Sequence, residues 1–243
     1  INDTFLVRGP AREFVLQKIN TQVFSNPQGL VDNAAKISQH LTQKSQQQQY
    51  LLQVVSPEYT AAGELWLDLG EEGFWRAINY LPHSHSVEVV STESHAEIAA
   101  RAFGHFSCSL SDLDAEQIVD VIPRFHHLPG RIEQLSIAAN NDSQGRLEAC
   151  QQWVDMVMAQ TELLQELADI ESKLPRRICH NDTKINNMLF DKRDMSSLAI
   201  IDLDTCMKGY LMYDFGDMVR TFCSPEEEDS TALDKVQVRE SIF

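Results

Sequence analysis

The chain has 243 residues, of which 43% are hydrophobic and 23% are charged, and these values are ordinary for a globular protein with one large domain or two lobes. There are 36 Asp and Glu residues against 20 Lys and Arg, which leaves a net charge of −16. Such an acidic chain repels nucleic-acid phosphates and anionic membrane surfaces, so both are disfavoured as partners, and a bound nucleotide would need a bridging divalent cation.

Cysteine usage and the chain ends bear on cellular location. Five scattered cysteines without a C-x-x-C pair indicate reduced thiols in a cytoplasmic protein. No stretch approaches the ~20 apolar residues of a membrane span, and the first residues lack the features of a secretory signal. The chain begins without Met and ends within a pattern, so we expect it to be a piece of a longer protein, truncated at its start and at its C-terminal part.

The first 82 residues predict an antiparallel sheet with one helix. Asn26 and Pro27 mark the start of the helix, because Asn is a good N-cap and Pro is favoured at the first helical position. The turn Arg8–Pro10 separates the first two strands. The predicted strands cover residues 5–7, 14–19, 50–55, 63–69 and 74–81.

After Pro82 the pattern becomes mainly helical. One helix is predicted to start near Ser94, and a long amphipathic helix is predicted over 148–172. Two short strands follow, at 188–190 and 198–202, joined by a polar turn. We therefore expect an N-terminal lobe over residues 1–82 and a mainly helical lobe over residues 83–243.

A loop at 179–191 (CHNDTKINNMLFD) contains His180, Asp182, Lys184 and Asn187 directly before an apolar strand. Asp202 ends the next strand, and antiparallel pairing of the two strands would bring it to the same end as the loop. The sequence therefore predicts that Asp182 and Asp202 meet in space.

This set of side chains suits phosphoryl transfer, which requires an aligned acceptor oxygen, cations on the phosphates and metal ligands. Asp182 can take the proton of an acceptor hydroxyl, and Lys184 can offset phosphate charge. Asn187 and Asp202 offer hard oxygen ligands to Mg²⁺, whose remaining positions are filled by phosphates and water. A capped turn is the alternative interpretation, because Asp and Asn are common in turns. The complete set of residues favours the chemical interpretation.

The pattern H-x-D-x-K-x-x-N at 180–187 resembles the protein-kinase catalytic loop, with Asn181 in place of an Arg. That replacement is typical of small-molecule kinases such as aminoglycoside, choline and homoserine phosphotransferases. The stretches HNDTKINNMLFD, AIIDLDT and YDFGD, with INDTFLV and VLQKIN near the start, are most similar to the bacterial N-acetylhexosamine 1-kinase branch.

The resemblance implies an α+β, bilobal protein-kinase-like fold. Its N-terminal lobe would bind the nucleotide with an antiparallel sheet plus one helix. Its second lobe would be mainly helical, with a catalytic β-hairpin, and would bind the acceptor. ATP would be the co-substrate and Mg²⁺ the cofactor. Asp182 would be the catalytic base and Lys184 a phosphate contact, while Asn187 and Asp202 would hold the metal.

The resemblance also implies the nucleotide contacts. Lys18 matches the strand lysine that holds the α- and β-phosphates, although an ordinary solvated lysine at a strand edge is the alternative. Asp32 is the nearest candidate for its acidic partner, one methylene shorter than the usual Glu. Thr4 would end the loop that covers the phosphates. The adenine would be bound at the inter-lobe hinge by Asn79, Tyr80 and Leu81.

Four further residues have open roles. Asp204 contacts the acceptor or hydrogen-bonds backbone, and His126 lines the acceptor pocket or is structural. Asp214 and Asp217 in YDFGD are expected to brace the catalytic loop or cap the next helix, because this triplet follows the wrong strand to be the kinase metal motif.

The expected function is ATP-dependent phosphorylation of a hydroxyl on a small molecule, with the anomeric hydroxyl of an N-acetylhexosamine sugar favoured by resemblance. The same chemistry on choline, an amino alcohol, homoserine or an aminoglycoside is the first alternative. A non-catalytic nucleotide-binding regulatory module is the second, although the retained base and metal ligands argue against it. The oligomeric state stays open.

Overall fold

The computed structural model describes residues 1–243 and contains ten β-strands and six α-helices. The strands are β1 (Asp3–Arg8), β2 (Glu13–Ile19), β3 (Pro57–Glu58), β4 (Trp66–Asp68), β5 (Phe74–Asn79), β6 (Ser84–His85), β7 (Arg177–Cys179), β8 (Met188–Asp191), β9 (Ser197–Ile200) and β10 (Met207–Gly209). The helices are α1 (Pro27–Gln46), α2 (Glu93–Ser109), α3 (Leu128–Asn141), α4 (Leu147–Met158), α5 (Thr161–Glu171) and α6 (Leu211–Phe222).

The chain divides into two units, one made of residues 1–122 and 176–243 and the other of residues 123–175. All the strands lie in the first unit, together with α1, α2 and α6, and the second unit contains α3, α4 and α5. The lobe boundary expected near Pro82 lies inside the first unit and stays a prediction. None of the helices combines the length and the apolar character needed to cross a bilayer.

A five-stranded antiparallel sheet is built around β5, which pairs with β2 along its whole length and with β3 and β4 on its other side. In the β2–β5 register, Gln17 lies opposite Arg76 and Lys18 lies opposite Trp75. Side chains directly opposite each other share a face, and successive side chains alternate between faces. Gln17 and Arg76 therefore lie on one face of the sheet, and Lys18 and Trp75 lie on the other.

Helix α1 begins as predicted, because the Asn26 side chain accepts a hydrogen bond from the Gly29 amide at 3.0 Å and Pro27 occupies the first turn. Its apolar face enters the main core of the first unit, where burial of aliphatic and aromatic side chains supplies most of the stabilisation. This core joins α1, α2 and the β8–β9 hairpin through Ile37, Leu41, Phe103, Phe106, Met188, Phe190 and Ile200.

The predicted hairpin of β8 and β9 is confirmed, with Met188 opposite Ile200. At its open end the amide of Ile201 donates to the carbonyl of Asn187 at 2.9 Å. This bond holds the end of the polar loop beside the segment that continues into Asp202. The loop and the strand end are thus neighbours, as the sequence predicts.

Two strand predictions in the first unit are wrong in detail. Residues 50–55 form no strand, and the strand expected over 63–69 is limited to β4. Tyr50 and Leu52 are nevertheless buried in the core. Their apolar pattern therefore reflects burial of an extended connection. Composition alone does not distinguish such a buried connection from a strand that pairs in a sheet.

The second unit differs more from the prediction. The single helix expected over 148–172 is two helices, α4 and α5, because the backbone leaves the helical conformation at Gln160. No Pro or Gly marks this break, and the apolar periodicity continues across it. Helix α3 was not predicted; its N-cap is His127, whose Nδ1 accepts a hydrogen bond from the Gly130 amide at 3.1 Å.

Candidate active site

Asp214, near the start of α6, holds the loop that follows β7. Its two carboxylate oxygens accept hydrogen bonds from the backbone amides of His180 at 2.9 Å and Asn181 at 2.7 Å. The hydroxyl of Thr183 donates to the Asp214 carbonyl at 2.7 Å. Burial raises the pKa of Asp214, while the His180 and Asn181 contacts act in the opposite direction. Asp214 is therefore a brace for the loop, as expected from the sequence.

The same loop is bonded to the segment after β9. Asn181 has a left-handed backbone with φ of 63°, a conformation that Asn tolerates better than most residues, and its side-chain amide donates to the Thr205 carbonyl at 2.9 Å. The Thr205 hydroxyl donates in return to the His180 carbonyl at 2.8 Å. His180 is fully buried, and its Nε2 lies 2.9 Å from the Ile201 carbonyl. His180 therefore braces the loop.

Asp182, Lys184 and Asn187 contact one another within this loop. The Asn187 side-chain amide donates to the carbonyl and to the Oδ2 of Asp182, both at 2.8 Å. The ammonium of Lys184 lies 3.3 Å from Asp182 Oδ1 and 3.1 Å from Glu228 Oε2. Partial burial acts to lower the pKa of Lys184, but the charges of Asp182 and Glu228 outweigh it and raise that pKa. Lys184 is thus a stable cation beside Asp182.

Asp202 follows the hairpin with a left-handed backbone, φ of 58°. Asp, like Asn, adopts this conformation more readily than most residues. Its carboxylate opens onto a cavity and is accessible to solvent there. The surrounding protein atoms nevertheless raise its pKa, and the charges of Asp204 and Asp182 add to this effect. The charge of Asp182 thus reaches Asp202, and the meeting of the two carboxylates around one ion stays a prediction.

The donor set fits a magnesium ion. Because Asn187 uses its amide nitrogen on Asp182, its Oδ1 is the atom left for a metal, and Asp202 supplies a carboxylate nearby. No group of three or more His, Cys, Asp or Glu side chains is arranged to hold a metal alone. Mg²⁺ fits such a site, because it is commonly bound by one or two carboxylates with phosphates and water. A cation would also stabilise the ionised form of Asp202, whose pKa is raised by burial first and by the charges of Asp204 and Asp182 after it.

A cavity of about 340 Å³ lies beside this site, within the size range of small-molecule pockets. Its walls are mainly apolar, and a polar part contains Gln17, Arg76, Asn187 and Asp202. The sequence-predicted nucleotide residues Thr4, Asn79, Tyr80 and Leu81 all line it. Their contacts with a nucleotide stay predictions.

Asn79 also has a bracing role at the end of β5. Its side chain accepts from the Ser56 amide at 2.8 Å and donates to the Val54 carbonyl at 3.2 Å. These two bonds tie the end of β5 to the connection that precedes β3. The cavity wall formed by Tyr80 and Leu81 therefore follows a fixed strand end.

Lys18 and Asp32 are not brought into the site. Lys18 lies on the opposite face of the sheet, with its ammonium 5.8 Å from the centre of a Trp75 ring. Asp32 is exposed on α1, whereas its neighbours Val31 and Asn33 are buried. The expected ion pair between Lys18 and Asp32 is absent. The physical reason is the alternation of the strand, which turns Lys18 away from the cavity and its neighbour Gln17 toward it.

Asp204 belongs to a buried polar network. It is 3% exposed, and its Oδ1 lies 2.5 Å from Nη2 of Arg76, which is 6% exposed. The Asn2 side-chain amide donates to Asp204 Oδ2 at 2.7 Å. A buried and doubly paired carboxylate is not placed to touch an acceptor. Its partners are the Arg76 and Asn2 side chains rather than the backbone groups of the alternative interpretation. His126 lies in the second unit, with its ring 4.5 Å from that of Phe125.

Sequence reasoning did not identify Arg76, Gln17 or Asn2. One signal was available for Arg76, since a strand read as FWRAINYL contains a single charged residue among aromatic and aliphatic ones. A charged residue in a buried strand needs a partner. The partner, Asp204, lies 128 positions later, and nothing local in the sequence points to it.

The fold is shared with solved small-molecule kinases. The amicoumacin kinase hAmiN, solved with AMP-PNP, Ca²⁺ and Ami, is 14% identical, with a TM-score of 0.64 over 90% of this chain and 61% of that one. An aminoglycoside phosphotransferase from Alicyclobacillus acidocaldarius is 12% identical, with a TM-score of 0.53 over 89% of this chain and 64% of that one. The GDP complex of aminoglycoside 2'-phosphotransferase-IIIa is 12% identical, with a TM-score of 0.54 over 90% and 69%.

The fold class predicted from the sequence, α+β and kinase-like, is confirmed by these similarities. The chain belongs to the phosphotransferase enzyme family (APH), whose profile matches residues 1–236. It spans about three fifths of the length of the amicoumacin kinase structure.

Proposed function

We propose that this protein transfers the γ-phosphoryl group of ATP to a hydroxyl of a small molecule in a magnesium-dependent reaction. The observation that carries the proposal is the arrangement of four side chains at the edge of one cavity. Asn187 and Asp202 line its polar part, Asp182 accepts a hydrogen bond from Asn187, and Lys184 lies beside Asp182. A base, a cation and two metal-ligand candidates are the parts that phosphoryl transfer needs, because its catalysis rests on positioning and charge stabilisation.

Each residue has a role that follows from its contacts. Asp182 would accept the proton of the acceptor hydroxyl, and its bond to Asn187 fixes the direction of its carboxylate. Lys184, kept protonated by Asp182 and Glu228, would offset the charge that develops on the transferred group. Asn187 and Asp202 would hold Mg²⁺, which when bound neutralises phosphate charge and orients the phosphates.

The cavity supports a nucleotide as the other substrate. Its apolar walls suit a purine ring, and its polar part suits phosphates. The amicoumacin kinase that shares the fold was solved with an ATP analogue, which supports ATP as co-substrate. In this proposal residues 1–82 form the nucleotide-binding lobe and residues 83–243 the catalytic lobe, and the enzyme acts in the cytoplasm.

The favoured acceptor is an N-acetylhexosamine sugar, phosphorylated at the anomeric hydroxyl. Its support is the likeness of the stretches HNDTKINNMLFD, AIIDLDT and YDFGD to that kinase branch. An aminoglycoside, or another amino alcohol such as choline or homoserine, is the second candidate. Two of the solved proteins that share the fold are aminoglycoside phosphotransferases, and the net charge of −16 suits a cationic acceptor.

Phosphorus NMR of the product decides between the acceptors. The protein would be incubated with Mg-ATP and N-acetylglucosamine, N-acetylgalactosamine, choline, homoserine or an aminoglycoside in parallel. A sugar 1-phosphate is recognised by the coupling of its phosphorus to the anomeric proton. A phosphate ester on an amine-bearing acceptor alone would exclude the sugar proposal. Calorimetry with Mg-ATP tests the nucleotide site separately, and absence of binding would contradict the proposed function as a whole.

A further inference from the structure

We propose that Arg76, on β5, is the strand cation that contacts the nucleotide phosphates, in the place that the resemblance assigns to Lys18. The proposal rests on the proposed ATP-dependent function and deepens it. It names a phosphate-binding residue on a different strand of the sheet from the lysine expected in V-L-Q-K.

The first argument is position. Arg76 is the one Lys or Arg side chain that lines the cavity, and it lies in the polar part with Gln17, Asn187 and Asp202. Lys18 is on the far face of the sheet. A polyphosphate in this polar part would lie beside the Asp202 carboxylate, which has the same sign of charge as the phosphates. Arg76 supplies a compensating charge on that wall.

The second argument is the register of the sheet. Gln17 occupies the cavity-facing position of β2 and is neutral, so β2 offers no charge to the cavity. Arg76 is its direct cross-strand partner, and the Arg76 Nε donates to Gln17 Oε1 at 2.9 Å. The positive charge that β2 lacks is therefore present on β5, one strand away and on the same face.

The third argument is preorganisation. The guanidinium has five N–H donors in a rigid plane. One donates to Gln17, and Nη2 lies 2.5 Å from Asp204 Oδ1, so most of the remaining donors are available to a ligand. Asp204 balances the buried charge and fixes the plane. A fixed guanidinium with spare donors suits paired phosphate oxygens.

The test compares ATP, ADP and adenosine binding by calorimetry, with magnesium, in the wild-type protein and in Arg76→Gln, Lys18→Gln and the control Arg12→Gln. Arg12 is an exposed arginine of the same sheet region, paired with Glu58 at 2.8 Å and outside the cavity. Loss of a charged hydrogen-bond donor predicts that Arg76→Gln weakens ATP binding roughly 10- to 100-fold. Adenosine binding should change less than about 3-fold, and both other variants should bind ATP like the wild type.

A purely structural role for Arg76 predicts a different result. The proposal would be overturned if Arg76→Gln weakened adenosine binding and ATP binding by the same factor. It would also be overturned if only Lys18→Gln lost ATP affinity selectively. Because Arg76→Gln leaves Asp204 buried without its partner, the double variant Arg76→Gln with Asp204→Asn keeps the network neutral if the single variant fails to fold. That double variant should show the same ATP-specific loss, and retention of full ATP affinity by it would overturn the proposal. If the wild-type protein binds no ATP, both the proposed function and this inference fail. If the wild-type protein turns over normally but Arg76→Gln weakens ATP and adenosine binding equally, only this inference fails.

Discussion

Replacement of Asp214 by Ala removes the carboxylate that accepts the backbone amides of His180 and Asn181. Both amides belong to buried residues, so each would lose its partner inside the protein. An unsatisfied buried donor costs about 1–3 kcal/mol, so two cost about 2–6 kcal/mol. The raised pKa of Asp214 shows that burial of its charge is itself unfavourable, and this places the expected loss toward the lower part of that range.

Asp217, one turn further along α6, provides a matched control. Its Oδ1 pairs with Arg220 at 2.8 Å, and Arg220 is half exposed, so this ion pair is worth at most about 1 kcal/mol. Its other contact, from the Thr183 hydroxyl, is long at 3.4 Å. Asp217→Ala should therefore change the free energy of unfolding by about 1 kcal/mol or less.

Urea unfolding of the two variants, with amide hydrogen exchange of the loop, measures the difference. Asp214→Ala should lower the free energy of unfolding by at least about 1 kcal/mol more than Asp217→Ala. It should also speed exchange at His180 and Asn181 selectively. Equal unfolding free energies for the two variants, with unchanged exchange at both amides, would refute the bracing role of Asp214.

Three further predictions concern the chemistry of the site. Asp182→Asn should lower kcat roughly 10²–10⁴-fold in an ATP-consumption assay, while calorimetry should show that Mg-ATP still binds. A variant with the kcat of the wild type would show that Asp182 is not the base. The pKa of Asp202 is raised in the folded protein, so its ionisation lowers the free energy of unfolding as the pH rises from about 4 through that pKa. Asp202→Asn should therefore unfold at a higher urea concentration than the wild type at pH 7. The same variant should lose magnesium-dependent nucleotide binding. An unchanged affinity in a magnesium titration would contradict the metal assignment. Glu228→Gln removes a charge that raises the pKa of Lys184. The alkaline limb of the pH profile of kcat should therefore move to lower pH. If that limb did not move, the Glu228–Lys184 contact would not control the protonation of that lysine.

The parts of the site that the sequence predicted are those encoded over short distances. Asp182, Lys184 and Asn187 lie within six residues, and their mutual contacts need only the local path of one loop. Asp202 joins them because the intervening apolar strands alternate in a pattern that specifies a hairpin. The N-cap at Asn26 was predictable for the same reason, since the capping bond is made three residues away.

Other features depended on which surface a segment buries. The apolar runs at 50–55 and 148–172 were assigned the wrong structure, because burial without sheet pairing and a helix break without Pro or Gly leave the apolar pattern unchanged. The face of β2 was assigned wrongly for a related reason. A motif match points to Lys18 because of the residue types in V-L-Q-K. In the folded sheet, side chains alternate between faces, and Gln17 rather than Lys18 lines the cavity.

Residue spacing alone therefore determined the hairpin and the grouping of Asp182, Lys184 and Asn187 in one polar loop, because these contacts form within a few tens of residues. Only the tertiary structure decided that Arg76 and Asp204 pair, that Asn2 bonds to Asp204, and that Lys18 faces away from the cavity. Those contacts join residues far apart in the chain, and they exist because a buried charge must find a partner wherever packing places one.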